Sequence, residues 1–104
     1  MRNALIAALA VAAALAGSPA LAQDQSAAEA GGAIYAEHCA TCHGENLTDP
    51  GAAPDLRELK ATDRARFETT VMEGRGQMPS WRGMIEPADV DQLWAYIRAH
   101  AFDR

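Results

Sequence analysis

Five consecutive residues, Cys39-Ala40-Thr41-Cys42-His43, place two thiols three positions apart with an imidazole directly after the second. On one turn of helix, side chains three apart share a face. Two such thiols can add to the two vinyl groups along one porphyrin edge and form thioethers, and the next residue then points an imidazole nitrogen at the iron from the proximal side. This is the C-x-x-C-H pattern of covalent haem c attachment. Two other uses of a C-x-x-C pair fit less well. A thioredoxin-like redox pair belongs with a βαβ pattern, which the sequence lacks. A structural zinc site needs four ligands, and outside this pentapeptide there is no further cysteine and only His38 and His100 remain.

A second axial ligand must come from elsewhere in the chain, and the candidates are Met72, Met78, Met84, His38, His100 and Lys60. His38 lies on the same short helix as the attachment site and cannot reach over the ring, so it is expected in solvent. Met72 falls at helical spacing within an apolar face, and Met84 lies just before the last helix. Both read as packing positions. His100 falls near the end of that helix, where a histidine suits the negative helix terminus. Met78 differs because it stands in a loop, between Gly76 and Pro79. The proline ring fixes the backbone direction there, so the thioether can be held over one haem face. Met78 is the expected ligand opposite His43, with Met84 the next choice.

The elements that must position these groups read as helices and loops. Residues 31–39 form a short helix with Tyr35 and Cys39 on one face and Ile34 beside them. Asn46, Asp49-Pro50-Gly51 and Pro54 break the chain into a loop, and residues 55–59 can form one helical turn. Thr62 or Asp63 can cap a helix through Phe67, Val71 and Met72 that stops at Gly74. Pro87 suits the first turn of a final helix reaching about Ala101. There Val90, Leu93, Trp94 and Ile97 fall at i, i+3, i+4 and i+7, an apolar stripe facing a core. No strand pattern or repeat appears, so an all-α domain with long loops is expected.

Ahead of that domain, Met1-Arg2-Asn3 forms a short positive region and Ala4 to Ala16 is an unbroken apolar run of 13 residues. A bilayer core requires roughly 20. Ala20-Leu21-Ala22 then supplies an A-x-A cleavage site. Residues 1–22 are therefore read as a cleaved signal peptide, residues 23–30 as a flexible lead-in and residues 31–104 as the domain, exported to the periplasm. After cleavage the chain keeps eight of its nine basic residues and all fourteen acidic ones, a formal charge of −6. That balance argues against nucleic acid and anionic membrane surfaces, and for a partner with a basic docking face. No stable membrane insertion is expected, and a monomer is. A domain this small usually carries a disulfide, a metal or a cofactor as a staple.

Taken together, Gly31-x-x-x-Tyr35-x-x-x-Cys39-x-x-Cys42-His43-Gly44, Ala53-Pro54-Asp55-Leu56, Gly76-x-Met78-Pro79 and Leu93-x-x-Tyr96-Ile97 resemble class I cytochromes c. The motifs stand in family order across almost the whole expected domain. Within the class the sequence looks most like the monohaem domains of cbb3-type oxidases and of quinoprotein alcohol dehydrogenases. The resemblance implies a small fold of three to five helices around one covalent haem c, with the first and last helices crossing. It implies thioethers at Cys39 and Cys42 and axial ligation by His43 and Met78. The Pro54 carbonyl would accept a hydrogen bond from the other His43 nitrogen, Leu56 would pack on the haem, and Gly31 and Tyr35 would meet Tyr96. Trp81 could shield the haem or bond a propionate through its indole N–H, or simply pack. Arg57, Arg75 and Arg82 lie near the expected haem loops, where one could pair with a propionate and surface placement is the ordinary reading.

His/Met ligation leaves no open coordination position, so the implied function is one-electron Fe(III)/Fe(II) transfer and not an enzymatic reaction. A soluble periplasmic carrier between a dehydrogenase or bc1-type donor and a terminal oxidase or similar acceptor is expected. A cytochrome subunit of a dehydrogenase or oxidase complex is the near alternative, and a gas-binding or enzymatic haem protein with open iron the remote one.

Overall fold

The last helix of the domain turns its predicted stripe inward. Val90, Leu93 and Ile97 are each no more than 1% exposed, and Trp94 is half-buried beside them. A computed structural model describes residues 19–48 and 53–104, and the signal-peptide reading therefore falls largely outside the described residues. Among the described residues the chain forms four α-helices: α1 (Pro19–His38), α2 (Ala40–His43), α3 (Arg64–Glu73) and α4 (Pro87–His100). Two 3₁₀ turns, Leu56–Glu58 and Ala61–Asp63, lie between α2 and α3. There is no strand among the described residues, only isolated bridges at Arg75–Met78 and Arg82–Ile85. The all-α reading holds.

Local chemistry explains most of the boundaries. Pro87 opens α4 at its first position, and the Asp89 carboxylate accepts from the Glu86 N–H at 2.9 Å, satisfying a donor ahead of the first turn. Gly74 ends α3 with φ 81°, a left-handed conformation that a side chain disfavours. Asp63 precedes α3 as expected, but its carboxylate turns back to the Lys60 N–H at 2.7 Å and secures the 3₁₀ turn instead of capping α3. Among the described residues the first helix covers Pro19–His38 and so includes residues 23–30, ahead of the expected start at residue 31. That segment is rich in alanine and glutamine, both good helix formers.

The core lies where α1, α3 and α4 meet, built from Tyr35, Leu47, Phe67, Val71, Ile85, Val90, Leu93 and Ile97. Helices α1 and α4 cross in close contact. Gly31 is buried there, and a Cβ on it would lie 1.9 Å from the Gln92 carbonyl oxygen. The next glycine, Gly32, is the one that faces Tyr96, whose ring a Cβ would meet at 3.1 Å. The sequence reading placed Gly31 against Tyr96, and the register of the crossing corrects this by one residue. Tyr35 does meet Tyr96, with ring centroids 5.3 Å apart and planes tilted by 38°.

The two glycines should respond differently to a methyl group. Gly31→Ala forces α1 off the α4 backbone and should cost about 3 kcal/mol, the upper part of the usual range for overpacking. Gly32→Ala meets only a side chain that can shift, and alanine recovers about 1 kcal/mol of helix propensity, so its stability should stay close to wild type. Guanidinium denaturation of the haem-loaded protein reads both. Equal losses would place the close approach elsewhere.

Candidate haem-binding site

Helix α1 hands the chain directly to the attachment motif. The Cys39 N–H bonds the Tyr35 carbonyl at 2.8 Å, and the His43 N–H bonds the Cys39 carbonyl at 2.9 Å, so the motif is one continuous turn after α1. Gly44 closes it, donating to the Ala40 carbonyl at 2.8 Å and leaving with φ 87°. The Tyr35 hydroxyl, from inside the core, donates to the Gly44 carbonyl. Burial pushes the Tyr35 hydroxyl up to about 12, with Cys39 and Tyr96 adding to the effect. A phenol that stays protonated keeps this donor in place across the physiological range.

The two cysteines are not joined to each other. Cys39 is half-buried and Cys42 exposed. Burial, and then the neighbouring Cys42, push the Cys39 thiol up to about 11. The His43 ring is fixed by its Nδ1, which lies 3.2 Å from the Pro54 carbonyl oxygen. A carbonyl can only accept, so Nδ1 is the protonated nitrogen and the lone pair belongs to Nε2.

Met78 sits in the loop after α3, half-buried against the core. Paired bonds with Arg75, both 2.9 Å, close a tight turn through Gly76, which has φ 60°. That turn is tied to the end of α3. The Trp81 N–H bonds the Val71 carbonyl at 2.9 Å, the Ser80 hydroxyl bonds the Met72 carbonyl at 2.5 Å, and Arg82 pairs with Glu73. At Gly74 a Cβ would lie 2.8 Å from both the Met78 carbonyl oxygen and the Ser80 nitrogen, so the loop folds over a position only glycine can occupy. Trp81 and Leu56 are half-buried and pack against the core. The His38 ring packs against Trp81 with centroids 5.3 Å apart and planes tilted by 59°, which joins the attachment segment to the Met78 loop. His38 is therefore not the freely solvated residue the sequence suggested.

The remaining ligand candidates separate clearly. Met72 packs against the core as expected. Met84 was read as a packing position, but it is 64% exposed at a turn where Ile85 fills the core instead. His100 is exposed and stacks on Tyr96 at 4.8 Å. Lys60 is exposed ahead of a 3₁₀ turn. Of the three arginines, Arg57 pairs with Asp55 and Arg82 with Glu73. Sequence reasoning missed Leu47, which is 1% exposed with φ 68°, and whose carbonyl takes the Leu56 N–H at 3.0 Å. An apolar residue inside a turn-rich loop was the only available signal.

The residues suit a flat, covalently held cofactor. Two separate thiols and an imidazole with one nitrogen already bonded share one turn. Half-buried apolar groups that pack against the core, among them Leu56, Leu59, Met72, Met78 and Trp81, come from the segments that follow the motif. No three His, Cys, Asp or Glu side chains converge as an ion site among the described residues.

Fold and donor set define a small c-type cytochrome domain of class I. The chain belongs to the family described as cytochrome c oxidase, cbb3-type, subunit III, whose profile matches residues 26–97. Its cofactor is covalently bound haem c. The chain is similar to quinohemoprotein alcohol dehydrogenase ADH-IIG of Pseudomonas putida, 36% identical over 82% of this chain and 12% of that protein. It is also similar to the cbb3-type cytochrome c oxidase subunit CcoP of Rhodobacter capsulatus, 40% identical over 84% of this chain and 30% of that subunit. The solved structure of the Pseudomonas putida HK5 dehydrogenase ADHIIG superposes with a TM-score of 0.70 at 32% identity, covering 97% of this chain and 15% of that one. The chain thus spans under a third of the length of these relatives. No helix among the described residues is long and apolar enough to cross a membrane.

Asp55, next to Pro54, carries the acid sensitivity of this region. Its hydrogen bonds with Arg57, opposed by partial burial, hold its carboxyl down to about 2. A carboxyl whose pKa is lowered by folding stabilises the native state fully above the ordinary value near 3.9, and that contribution is lost as pH falls toward 2. Melting temperature followed from pH 6 to pH 2 should fall less steeply in Asp55→Asn than in the wild type, the difference arising below about pH 4. Parallel curves would show that the pair contributes nothing to folding.

Proposed function

We propose that the chain is a one-electron carrier whose haem is held through Cys39 and Cys42 and ligated axially by His43 and Met78. The observation that carries this reading is the bond between His43 Nδ1 and the Pro54 carbonyl, because it leaves the Nε2 lone pair available to a metal. Such a bond fixes the orientation of a ligating imidazole and raises its basicity. Met78 offers a soft thioether from a loop tied to α3, and Leu56 and Trp81 limit water around the site. Bound between these side chains, haem iron supplies one-electron exchange between Fe(III) and Fe(II), with methionine sulfur favouring the ferrous form and raising the potential. With His43 and Met78 both holding the group, a substrate would have to displace a side chain to reach the metal, so the chain itself would be a carrier and not an enzyme.

The leader sequence supports export to the periplasm. The formal charge of −5 for the full chain favours brief, salt-sensitive complexes with a basic partner face. A free monomeric carrier passing electrons from a dehydrogenase or bc1-type donor to a terminal oxidase is our first reading. A cytochrome subunit of a larger redox complex is the second, favoured by the greater length of the relatives, in which this domain is one part.

Carbon monoxide distinguishes closed from open iron. The visible spectrum of the reduced wild type should not change on adding the gas. Met78→Ala should bind it, and should lower the midpoint potential by on the order of 0.1 V, a modest part of the roughly 0.8 V that axial ligands span. Binding by the wild type would remove Met78 from the iron and favour a gas-binding or enzymatic role.

A further inference from the structure

After α4 the chain folds back over the segment that holds Pro54. Ala101 is fully buried, and the Phe102 N–H donates to the Arg57 carbonyl at 2.9 Å. The Arg57 guanidinium lies over the Phe102 ring, 4.7 Å from its centre. That ring is 63% exposed, so it lies outside the core and its described ring contact is this one arginine. The arginine is gripped in turn by Asp55. Nε donates to Oδ1 at 3.0 Å, Nη2 to Oδ2 at 2.8 Å, and the Arg57 backbone N–H to Oδ1 at 2.9 Å. A second strut comes from α4, where Arg98 Nη1 bonds both the Leu59 carbonyl at 2.9 Å and Asp103 at 2.8 Å.

The Pro54 carbonyl and the Asp55 N–H belong to one rigid peptide plane. The clamp on Asp55 therefore fixes one end of the plane whose oxygen meets His43 and leaves that plane only rotation about the Asp55 N–Cα bond. We propose that Asp55, Arg57 and Phe102 are positioning residues: through them the C-terminal tail holds the Pro54 carbonyl against His43 and sets the electron donation of that imidazole to the iron. The inference rests on His43 as a ligand, as argued above. A carbonyl that is well aligned with Nδ1–H makes the imidazole more basic and favours ferric iron. Loosening the clamp should then raise the potential.

The test uses the haem-loaded protein with Phe102→Ala and Arg57→Ala, Phe102→Tyr as the conservative variant and Arg64→Ala as a control. Arg64 ties α3 to α4 through Asp91 and also pairs with Glu68, so its loss destabilises the domain away from Pro54. Two quantities are read: the midpoint potential, and the exchange rate of the His43 ring N–H in the reduced protein by NMR. Phe102→Ala and Arg57→Ala should each speed that exchange about fivefold, the worth of one ordinary hydrogen bond. The same factor in the redox equilibrium is a rise of about 40 mV for one electron. Phe102→Tyr should retain both wild-type values, and Arg64→Ala should lower only the melting temperature. If Phe102→Ala and Arg57→Ala behave like Arg64→Ala, the clamp is merely structural and the proposal falls. Carbon monoxide binding by the wild type would overturn Met78 ligation separately, with the His43 ring exchange still reporting on the clamp.

Discussion

Where α1 crosses α4, the Gly31 backbone lies so close to the Gln92 carbonyl that even one methyl group has no room. Bringing two helices to this distance sinks Tyr35, one turn further along α1, to 1% exposure. From there its hydroxyl reaches the Gly44 carbonyl at the far end of the attachment turn. The motif is therefore held at both ends, by backbone bonds from α1 at Cys39 and by a core side chain at Gly44. Its position derives from the helix crossing. A short helix of four residues cannot hold itself in place, since nucleation costs more than so few bonds return.

The other half of the site depends on a different anchor. The Met78 loop is fastened to the end of α3 by Trp81, Ser80 and Arg82, and α3 is fastened to α4 by Phe67 stacking on Trp94 at 5.1 Å. The attachment turn and the Met78 loop thus each lead back to α4 by their own route, one through α1 and one through α3. The His38–Trp81 contact bridges the two. With α4 as the shared reference, two segments more than thirty residues apart in sequence can be held in fixed relation by a domain that has few residues to spare.

What the sequence disclosed and what it concealed divides along the range of the interactions. The attachment turn, the stripe of α4, Pro87 at its start and Gly74 at the end of α3 are set by residues within a turn of one another, and all were legible. The Pro54 contact was foreseen only because a family resemblance supplied it, since residues 43 and 54 are joined by a loop whose course no local rule fixes. The register at the crossing was misjudged by one residue because Gly31 and Gly32 are equally plausible until α4 is in place. The apolar character of Met84 alone reads as packing, yet the neighbouring Ile85 fills the core there at 2% exposure. In a tight turn only one of two adjacent side chains can face inward. The partnership of Arg57 with Phe102 spans forty-five positions and leaves no pattern at all in the sequence.

The apolar core among the described residues is small for a folded domain, and the stability available from a core shrinks as the chain gets shorter. The apolar side chains around it tell where the deficit is met. Leu56, Leu59, Met72, Met78 and Trp81 all pack against the core with one side still open, and they come from the same segments that carry the candidate ligands. Apolar surface left half-covered on three separate segments is costly in water, but it becomes the wall of a pocket once a large flat apolar group is set against it.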